Sequence, residues 1–401
     1  MKVSKLDAVD VNPTKNVVKE KRPHIPDHIK FELWSNAGGR CQFRGCNKEL
    51  WEDGLTCSKL NLSNIAHIVS WTPTGPRGDE VRSLLLATEI SNLMLTCQKH
   101  NKVIDSREYV KEYPEELLLK MKKEHETRIR LATSIIPENQ TTPLVYMSKI
   151  FDSKMHVSDT EIRNAVFPNF YPKIEEKINL NFEVSDTNSD FWDTEKRNLE
   201  AYFSRNIKPK LEDGTISHLS VFGFAPQPLL IYLGYLLGDK YTTDIYPLQR
   251  NPKEWKWRET GPERIKYKKN YPIDLKYQPV LTISLSDKIT EERVSASIGN
   301  NYSRWDISIE KPDREFLTNK EYLYEFSRVI SEVLDEIKNV HGISTELKVI
   351  TVMPIATAIE FGRRIDPKYS MPIKIYNHNQ DSQVFEPVLD ICLPKDRGDL
   401  N

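Results

Sequence analysis

Two kinds of hydrophobic patterning divide the chain. Up to about residue 140, apolar positions come in short bursts between polar stretches rich in Pro and Gly. IPDHIKFELWSNAGG (Ile25–Gly39) has a helical repeat, with Ile29, Leu33 and Trp34 on one side. Asp27 is placed to cap its start and Gly38–Gly39 to stop it. NIAHIV and NLMLTC have the length of strands. The intervening WTPTGPRGDE has the composition of an exposed loop, where Arg77, and Arg82 just beyond it, can be solvated or can touch nucleic acid. EELLLKMKKEHETRIRLA (residues 115–132) reads as a charged amphipathic helix with Leu118, Met121 and Ile129 on its apolar side. The two prolines of IPENQTTP mark a boundary. The expected division is a flexible polar arm over 1–25, a domain over 26–140 and a domain over 141–401.

The second part is patterned differently, in Val- and Ile-rich runs alternating with amphipathic helices, and it repeats itself. LSVFGFAPQPLLIYLGYLLGDKYTTDI (Leu219–Ile245) aligns without a gap on LKVITVMPIATAIEFGRRIDPKYSMPI (Leu347–Ile373). The alignment matches Leu219 with Leu347, Pro226 with Pro354, Ile231 with Ile359, Gly234 with Gly362 and Tyr241 with Tyr369. YQPVLTISL (Tyr277–Leu285) aligns on FEPVLDICL (Phe385–Leu393), and a helical stretch precedes each main copy. Such runs predict largely parallel sheets covered by helices, an α/β domain of two Rossmann-like halves over roughly 150–288 and 289–401. Two halves related by a pseudo-twofold would share a cleft, with ligands beyond the carboxyl ends of the strands and near helix N-termini. That places Pro226, Gln227, Pro354 and Thr357 at the cleft, and Gln249, Arg250, Tyr376 and Asn377 at its rim. A cyclic dinucleotide has the matching pseudosymmetry. The first copy carries an insertion, Gln249–Lys276, with Trp255, Trp257 and seven basic residues from Lys253 to Lys269. Its tryptophans either stack on a base or pack on their own domain.

Charge decides little. Lys and Arg total 57 against 58 Asp and Glu, and residues 1–140 hold 22 basic against 19 acidic side chains, a lean of +3. No run approaches the roughly 18 apolar residues of a membrane span, and the polar start is not a signal peptide. Five cysteines, four of them in or near one motif, point to a reducing compartment rather than a disulfide framework, with the cytosol expected. Cys57 has no spacing partner and is expected to be a buried thiol.

The chemistry concentrates between Cys41 and Asp105. Cys41-x4-Cys46 and Cys97-x2-His100 supply four ligands, the number that tetrahedral zinc takes. By itself that set equally suits a structural zinc module that docks partners. His67 in its short strand, Asn92 opening the next one, and Asn101 and Asp105 after the last zinc ligand add a second pattern. Together these residues resemble the HNH nucleases, whose ββα-metal unit cuts phosphodiester bonds with one divalent ion. The resemblance implies that His67 is the general base, that Asn92 braces the loop carrying it, and that Asn101 and Asp105 hold catalytic Mg²⁺ or Mn²⁺. Where many members carry a metal-binding Asp or His before the base, this chain has Ala66. The ion then leans on Asn101 and Asp105, or on a carboxylate elsewhere.

An HNH unit followed by a duplicated Rossmann-like half resembles the HNH–SAVED effector nucleases of bacterial antiphage (CBASS) signalling. The fold implied is an α+β ββα-metal unit with structural zinc, then an α/β SAVED domain of two fused CARF-like halves. The function implied is a DNase, silent until a cyclic di- or trinucleotide from a partner synthase binds the SAVED domain. Binding would drive homo-oligomerisation, from dimer to tetramer or higher, and bring HNH units together on double-stranded DNA. Three other readings remain: a restriction-type nuclease whose second half reads DNA, a non-catalytic zinc-containing regulator, and a sensor that degrades its own ligand.

Overall fold

The computed structural model describes residues 23–148, 156–182, 190–258 and 265–392, and the arm expected over 1–25 lies, up to residue 22, outside them. The chain divides into two compact units after Ser134, slightly ahead of the expected boundary, because Gln140–Pro143 already belongs to a strand of the second unit. No helix among the described residues is long and apolar enough to cross a membrane.

The first unit runs α1 (Asp27–Ala37), β1 (Ser63–His67), α2 (Arg82–Leu85), β2 (Leu93–Cys97), α3 (Gln98–Ile104) and α4 (Glu115–Thr133). Pro26 rather than Asp27 occupies the N-cap of α1, and Asp27 instead bonds Lys30 within the first turn at 2.8 Å. Gly38, in the left-handed region at φ 59°, ends the helix. β1 and β2 pair antiparallel, from Ser63 opposite Cys97 to His67 opposite Leu93. Successive side chains of β2 enter opposite cores: Leu93, Leu95 and Cys97 meet Leu33, Ala37, Cys41 and Leu50, while Met94 meets Ala66, Ile68, Ile104 and Leu118. Both faces are covered, which is why NLMLTC reads as an unbroken apolar run. Both cores are small. Cys57 is exposed, at φ 54°, and not the buried thiol expected: it sits in a surface turn closed by Asp53, whose Oδ1 accepts from the Leu55 and Thr56 N–H groups, and the Leu55 side chain there is itself exposed.

The second unit holds two mainly parallel sheets. In the first, β3 (Gln140–Ser148) pairs with β4 (Tyr171–Pro172), β5 (Ile178–Phe182) and β6 (Leu219–Phe224), and β6 pairs with β7 (Thr243–Tyr246), all parallel. Helices α5 (Asp159–Val166), α6 (Phe191–Tyr202), α7 (Lys208–Glu212) and α8 (Gln227–Leu237) connect its strands. A two-rung ribbon, β8 (Gln249–Arg250) and β9 (Lys253–Glu254), follows. The second sheet contains β10 (Tyr267–Asn270), β11 (Gln278–Ser284), β12 (Tyr302–Ile309), β13 (Leu347–Val352), β14 (Ile373–His378) and β15 (Phe385–Ile391), in the order β10-β12-β11-β13-β14-β15. Its helices are α9 (Glu291–Ile298), α10 (Lys320–His341) and α11 (Ile355–Arg363).

The main repeat is structural: β6–α8–β7 and β13–α11–β14 are like units, each with parallel strands around its helix. The second repeated block is not. β11 lies between two parallel neighbours, whereas β15 is an antiparallel edge. The counterpart of β11 is β3, since Leu144 stands opposite Val221 as Leu281 stands opposite Val349. The halves therefore begin at β3 and at β10, and not at 150 and 289. A short apolar run encodes burial and leaves its neighbours to the connections.

Between the halves α8 packs on α11. α8 is apolar on all sides and almost wholly buried, as an interior helix must be. A Cβ on Gly234 would stand 1.9 Å from the Ile359 carbonyl oxygen, and one on Gly362 would stand 1.9 Å from that of Ile231. These are two matched pairs of the repeat, so the crossing is itself pseudo-twofold.

Candidate active site and metal centre

The metal centre is assembled from the loop after α1 and from the β2–α3 junction. The ligand atoms of Cys41, Cys46, Cys97 and His100 lie within 4.8 Å of one another, with His100 Nδ1 3.6 Å from Cys41 Sγ and 3.3 Å from Cys97 Sγ. Tetrahedral zinc, with bonds of about 2.0–2.3 Å, separates its ligand atoms by roughly 3.5–3.8 Å, so the set fits. Phe43 stacks on the His100 ring, centroids 4.2 Å apart and planes 2° from parallel, which fixes the ring's orientation. Burial pushes the Cys41 thiol up to about 12, so a thiolate there needs a bound cation. Gln42 laces the loop to β2. Its backbone N–H donates to the Leu95 carbonyl, its side-chain oxygen accepts from the Leu95 N–H at 2.7 Å, and its amide donates to Glu126 at 2.9 Å.

His67 ends β1 and is 6% exposed. Its Nε2 lies 2.9 Å from the Ala87 carbonyl oxygen. A carbonyl only accepts, so Nε2 carries the proton and the basic lone pair of the neutral ring lies on Nδ1. Asn92, 3% exposed, works on both sides of this arrangement. Its Oδ1 accepts from the Val69 N–H at 2.7 Å, and its Nδ2 donates to the carbonyls of Val69 at 2.9 Å and Leu86 at 3.0 Å. One amide thus ties the chain leaving His67 to the segment that supplies Ala87.

Asn101 and Asp105 lie one turn apart on α3 and at its C-cap, where Asn101 Nδ2 donates to Asp105 Oδ2 at 2.9 Å. Asn101 Oδ1 and the other carboxylate oxygen are hard donors of the kind Mg²⁺ takes, an ion that usually keeps several waters beside one or two protein oxygens. Ala66 is buried in the core beneath β1, so the position before His67 contributes packing.

In the second unit the expected ligand residues separate. Pro226 and Pro354 are the N-cap residues of α8 and α11. Gln227 faces the other half: its Nε2 donates to the Met353 carbonyl and its Oε1 accepts from Thr351 Oγ1, both at 2.9 Å. That brings the two turns together with Gln227 spent as their clasp. Thr357 is buried and donates to the Pro354 carbonyl at 2.7 Å. Gln249 is buried and donates to the Leu317 carbonyl at 3.1 Å, while Arg250 is exposed. Tyr376 is buried and Asn377 half-buried at the end of β14.

Of the two expectations for the tryptophans, packing on their own domain holds, against the base-stacking role. Trp255 is 2% exposed, its ring edge-on to Phe222 at 5.7 Å, and offers no face to a base. Trp257 is half-buried and donates to the Ile245 carbonyl at 3.0 Å. The β8–β9 ribbon is too small for a core of its own and docks its indoles on the first sheet. A cavity of about 180 Å³ lies elsewhere, at the starts of β13 and β14, lined by Ser331, Lys338, Arg364, Asp366 and Tyr369 among others.

Sequence reasoning also passed over a buried polar group. Glu195 on α6 is inaccessible to solvent beside Tyr146, whose hydroxyl donates to it at 3.5 Å. Burial raises its carboxyl to about 7. It was hidden because FWDTEKRNLEAYF reads as an amphipathic helix with its charges outward.

Residues 199–391 match the SAVED family, the SMODS-associated and fused to various effectors sensor domain. No curated protein matches the chain. Among solved structures, the Acinetobacter baumannii Cap4 SAVED/CARF-domain containing receptor with the cyclic trinucleotide 2'3'3'-cAAA is similar at 14% identity and a TM-score of 0.43, over 79% of this chain and 66% of that one. The same receptor with 3'3'3'-cAAA gives 12% and 0.43, over 72% and 61%. The Moraxella osloensis Cap4 SAVED/CARF-domain containing receptor gives 13% and 0.40, over 72% and 60%. The chain spans under two thirds of the length of these receptors.

Proposed function

We propose that this protein is a metal-dependent HNH-type endonuclease of double-stranded DNA, gated by a cyclic oligonucleotide that binds its second unit, in antiphage signalling. What supports the sensor is the match of residues 199–391 to SAVED. The observation that carries the nuclease is the setting of His67, with Nε2 tied to Ala87 and the chain leaving His67 tied by Asn92 to Leu86, the residue before Ala87. A core histidine needs a partner for its N–H. It does not need a buried amide holding the two segments that present it.

In this reading His67 Nδ1 takes the proton from the attacking water. Asn92 keeps the ring's supporting carbonyl in place. Asn101 and Asp105 would hold Mg²⁺ or Mn²⁺, which when bound would supply charge stabilisation to the scissile phosphate. A zinc held by Cys41, Cys46, Cys97 and His100 would keep α3 against the β1–β2 pair. Near-neutral charge suits a nuclease that works only when assembled, because several weak basic faces add once joined. The second messenger is a cyclic di- or trinucleotide, and those held by the Cap4 receptors belong in the first panel tried.

The test is incubation of the full chain with plasmid, Mg²⁺ and a panel of cyclic di- and trinucleotides. Cleavage is expected with one class of nucleotide and not without it. His67→Ala should keep its zinc and its nucleotide binding and lose cutting. Wild-type cutting by that variant removes His67 from the mechanism. Constitutive cutting with no nucleotide bound replaces gating with the restriction-type reading.

A further inference from the structure

We propose that Arg77 is the positioning residue of the nuclease site, the strut that holds His67 and Asp105 in register. The inference rests on the nuclease reading above. Arg77 lies in the loop whose composition predicts exposure, yet its side chain turns inward and is half-buried. Nε donates to the Ile68 carbonyl at 2.5 Å, Nη2 to the Ile104 carbonyl at 2.6 Å and Nη1 to the Tyr113 carbonyl at 3.4 Å. Ile68 directly follows His67, and Ile104 directly precedes Asp105. One planar cation therefore spans the exit of the strand that carries the base and the end of the helix that carries the metal-binding carboxylate. Tyr113, just ahead of α4, closes the third side.

Two further observations favour a built strut over an incidental contact. Arg77 has φ 53°, a left-handed conformation that a long side chain adopts uncommonly and keeps where its surroundings over-determine it. Arg107 reaches the same loop from outside, donating to the Thr74 carbonyl at 2.5 Å. Burial of the guanidinium lowers its pKa, and the negative charges of Asp105 and Glu115 offset that only in part. A lysine has one compact ammonium and cannot reproduce a fork spanning three carbonyls. Because three of its five N–H donors are spent inside the protein, Arg77 acts through backbone and not by gripping DNA.

The test uses the full chain and compares wild type with Arg77→Lys, Asp105→Asn and, as a control, Lys30→Ala, whose ammonium pairs with Asp27 on α1. Mn²⁺ binding is read by electron paramagnetic resonance without nucleotide, and the Mn²⁺ lost in Asp105→Asn defines the site. Arg77→Lys should weaken that Mn²⁺ roughly tenfold while zinc stays bound. In nucleotide-activated cleavage it should lower kcat by about tenfold to a hundredfold, the cost of a misplacement near 1 Å, with KM for DNA unchanged. Lys30→Ala should match wild type in both. Unchanged Mn²⁺ affinity in Arg77→Lys overturns the proposal. So does a raised KM with a shallower salt dependence, which would make Arg77 a phosphate contact. If Arg77→Lys loses its zinc, Arg77→Gln, which keeps one amide donor, carries the same measurements. Zinc loss in both variants overturns the proposal by making Arg77 a determinant of the whole unit's fold. Wild-type protein that binds no Mn²⁺ sensitive to Asp105 sinks the nuclease reading itself, a separate outcome.

Discussion

Around His67 the chain is held by polar side chains that reach backbone: Asn92 on Val69 and Leu86, Arg77 on Ile68 and Ile104, and Gln42 on Leu95. Between the halves of the second unit α8 and α11 touch through bare backbone at Gly234 and Gly362, inside one large apolar core. The contrast follows from size. The first unit has two thin cores on either side of a two-stranded sheet, too little apolar surface to set the geometry of its loops. A Cys/His cluster and side-chain brackets do it instead, directionally. The second unit has core to spare and uses shape, so its central contact tolerates no added atom.

The largest effect should come from the clamp. Zinc in such sites contributes about 10–16 kcal/mol of binding energy that is also folding energy. Cys97→Ser, or strong chelation, should therefore unfold the first unit and leave the second intact. Calorimetry should show one transition lost and one retained, and elemental analysis should show zinc falling from one per chain to none. A zinc-free protein with both transitions unchanged would dissolve the contrast.

Next is the glycine crossing. Gly234→Ala must force α8 from α11, costing roughly 3 kcal/mol as overpacking does, and lowering the second transition only. Gly362→Ala should cost about the same, because the crossing is pseudosymmetric. A large difference between the two would show that the halves do not share it equally.

Somewhat smaller is the effect of Glu195, the polar exception in the apolar unit. Its carboxyl is raised from 4.5 to about 7 by burial, so the folded state binds a proton that the unfolded state has released. That favours folding fully at low pH, and the advantage is lost as pH rises from about 4.5 through about 7. Glu195→Gln removes the titration. It should flatten the pH dependence of the second transition and stabilise it by about 2–3 kcal/mol at pH 8, with little change at pH 4. Urea melts across that range read it directly, and parallel wild-type and variant curves would mean that Glu195 is solvated.

Legibility differed with the kind of information. The convergence of the four Cys and His side chains was readable from spacing because Cys41-x4-Cys46 and Cys97-x2-His100 are local pairs and four such ligands suit tetrahedral zinc. The repeat was readable because Gly234/Gly362 and Ile231/Ile359 keep their order along the chain. Arg77 was not, since a Pro- and Gly-rich loop reads as exposed whether its arginine points out or in. Trp255 was ambiguous for a related reason: an aromatic beside lysines suits a stacking platform and a docked hairpin alike, and proximity to Phe222 decides.

The sequence by itself determined what is covalently close or periodic: the helices α1 and α4, the Cys/His pairs that the fold brings together, and the β–α–β repeat. The partners of strands and side chains far apart in the chain were decided by the tertiary structure. It set β11 as the counterpart of β3 and not of β15, turned Gln227 from a ligand candidate into a clasp, and brought the Ala87 carbonyl to His67. The physical reason is that a strand's apolar run or a buried amide carries a requirement, for burial or for a hydrogen bond, without an address. The packed chain supplies the address by closing loops whose entropy cost grows only slowly with length, so near and distant partners compete on almost equal terms.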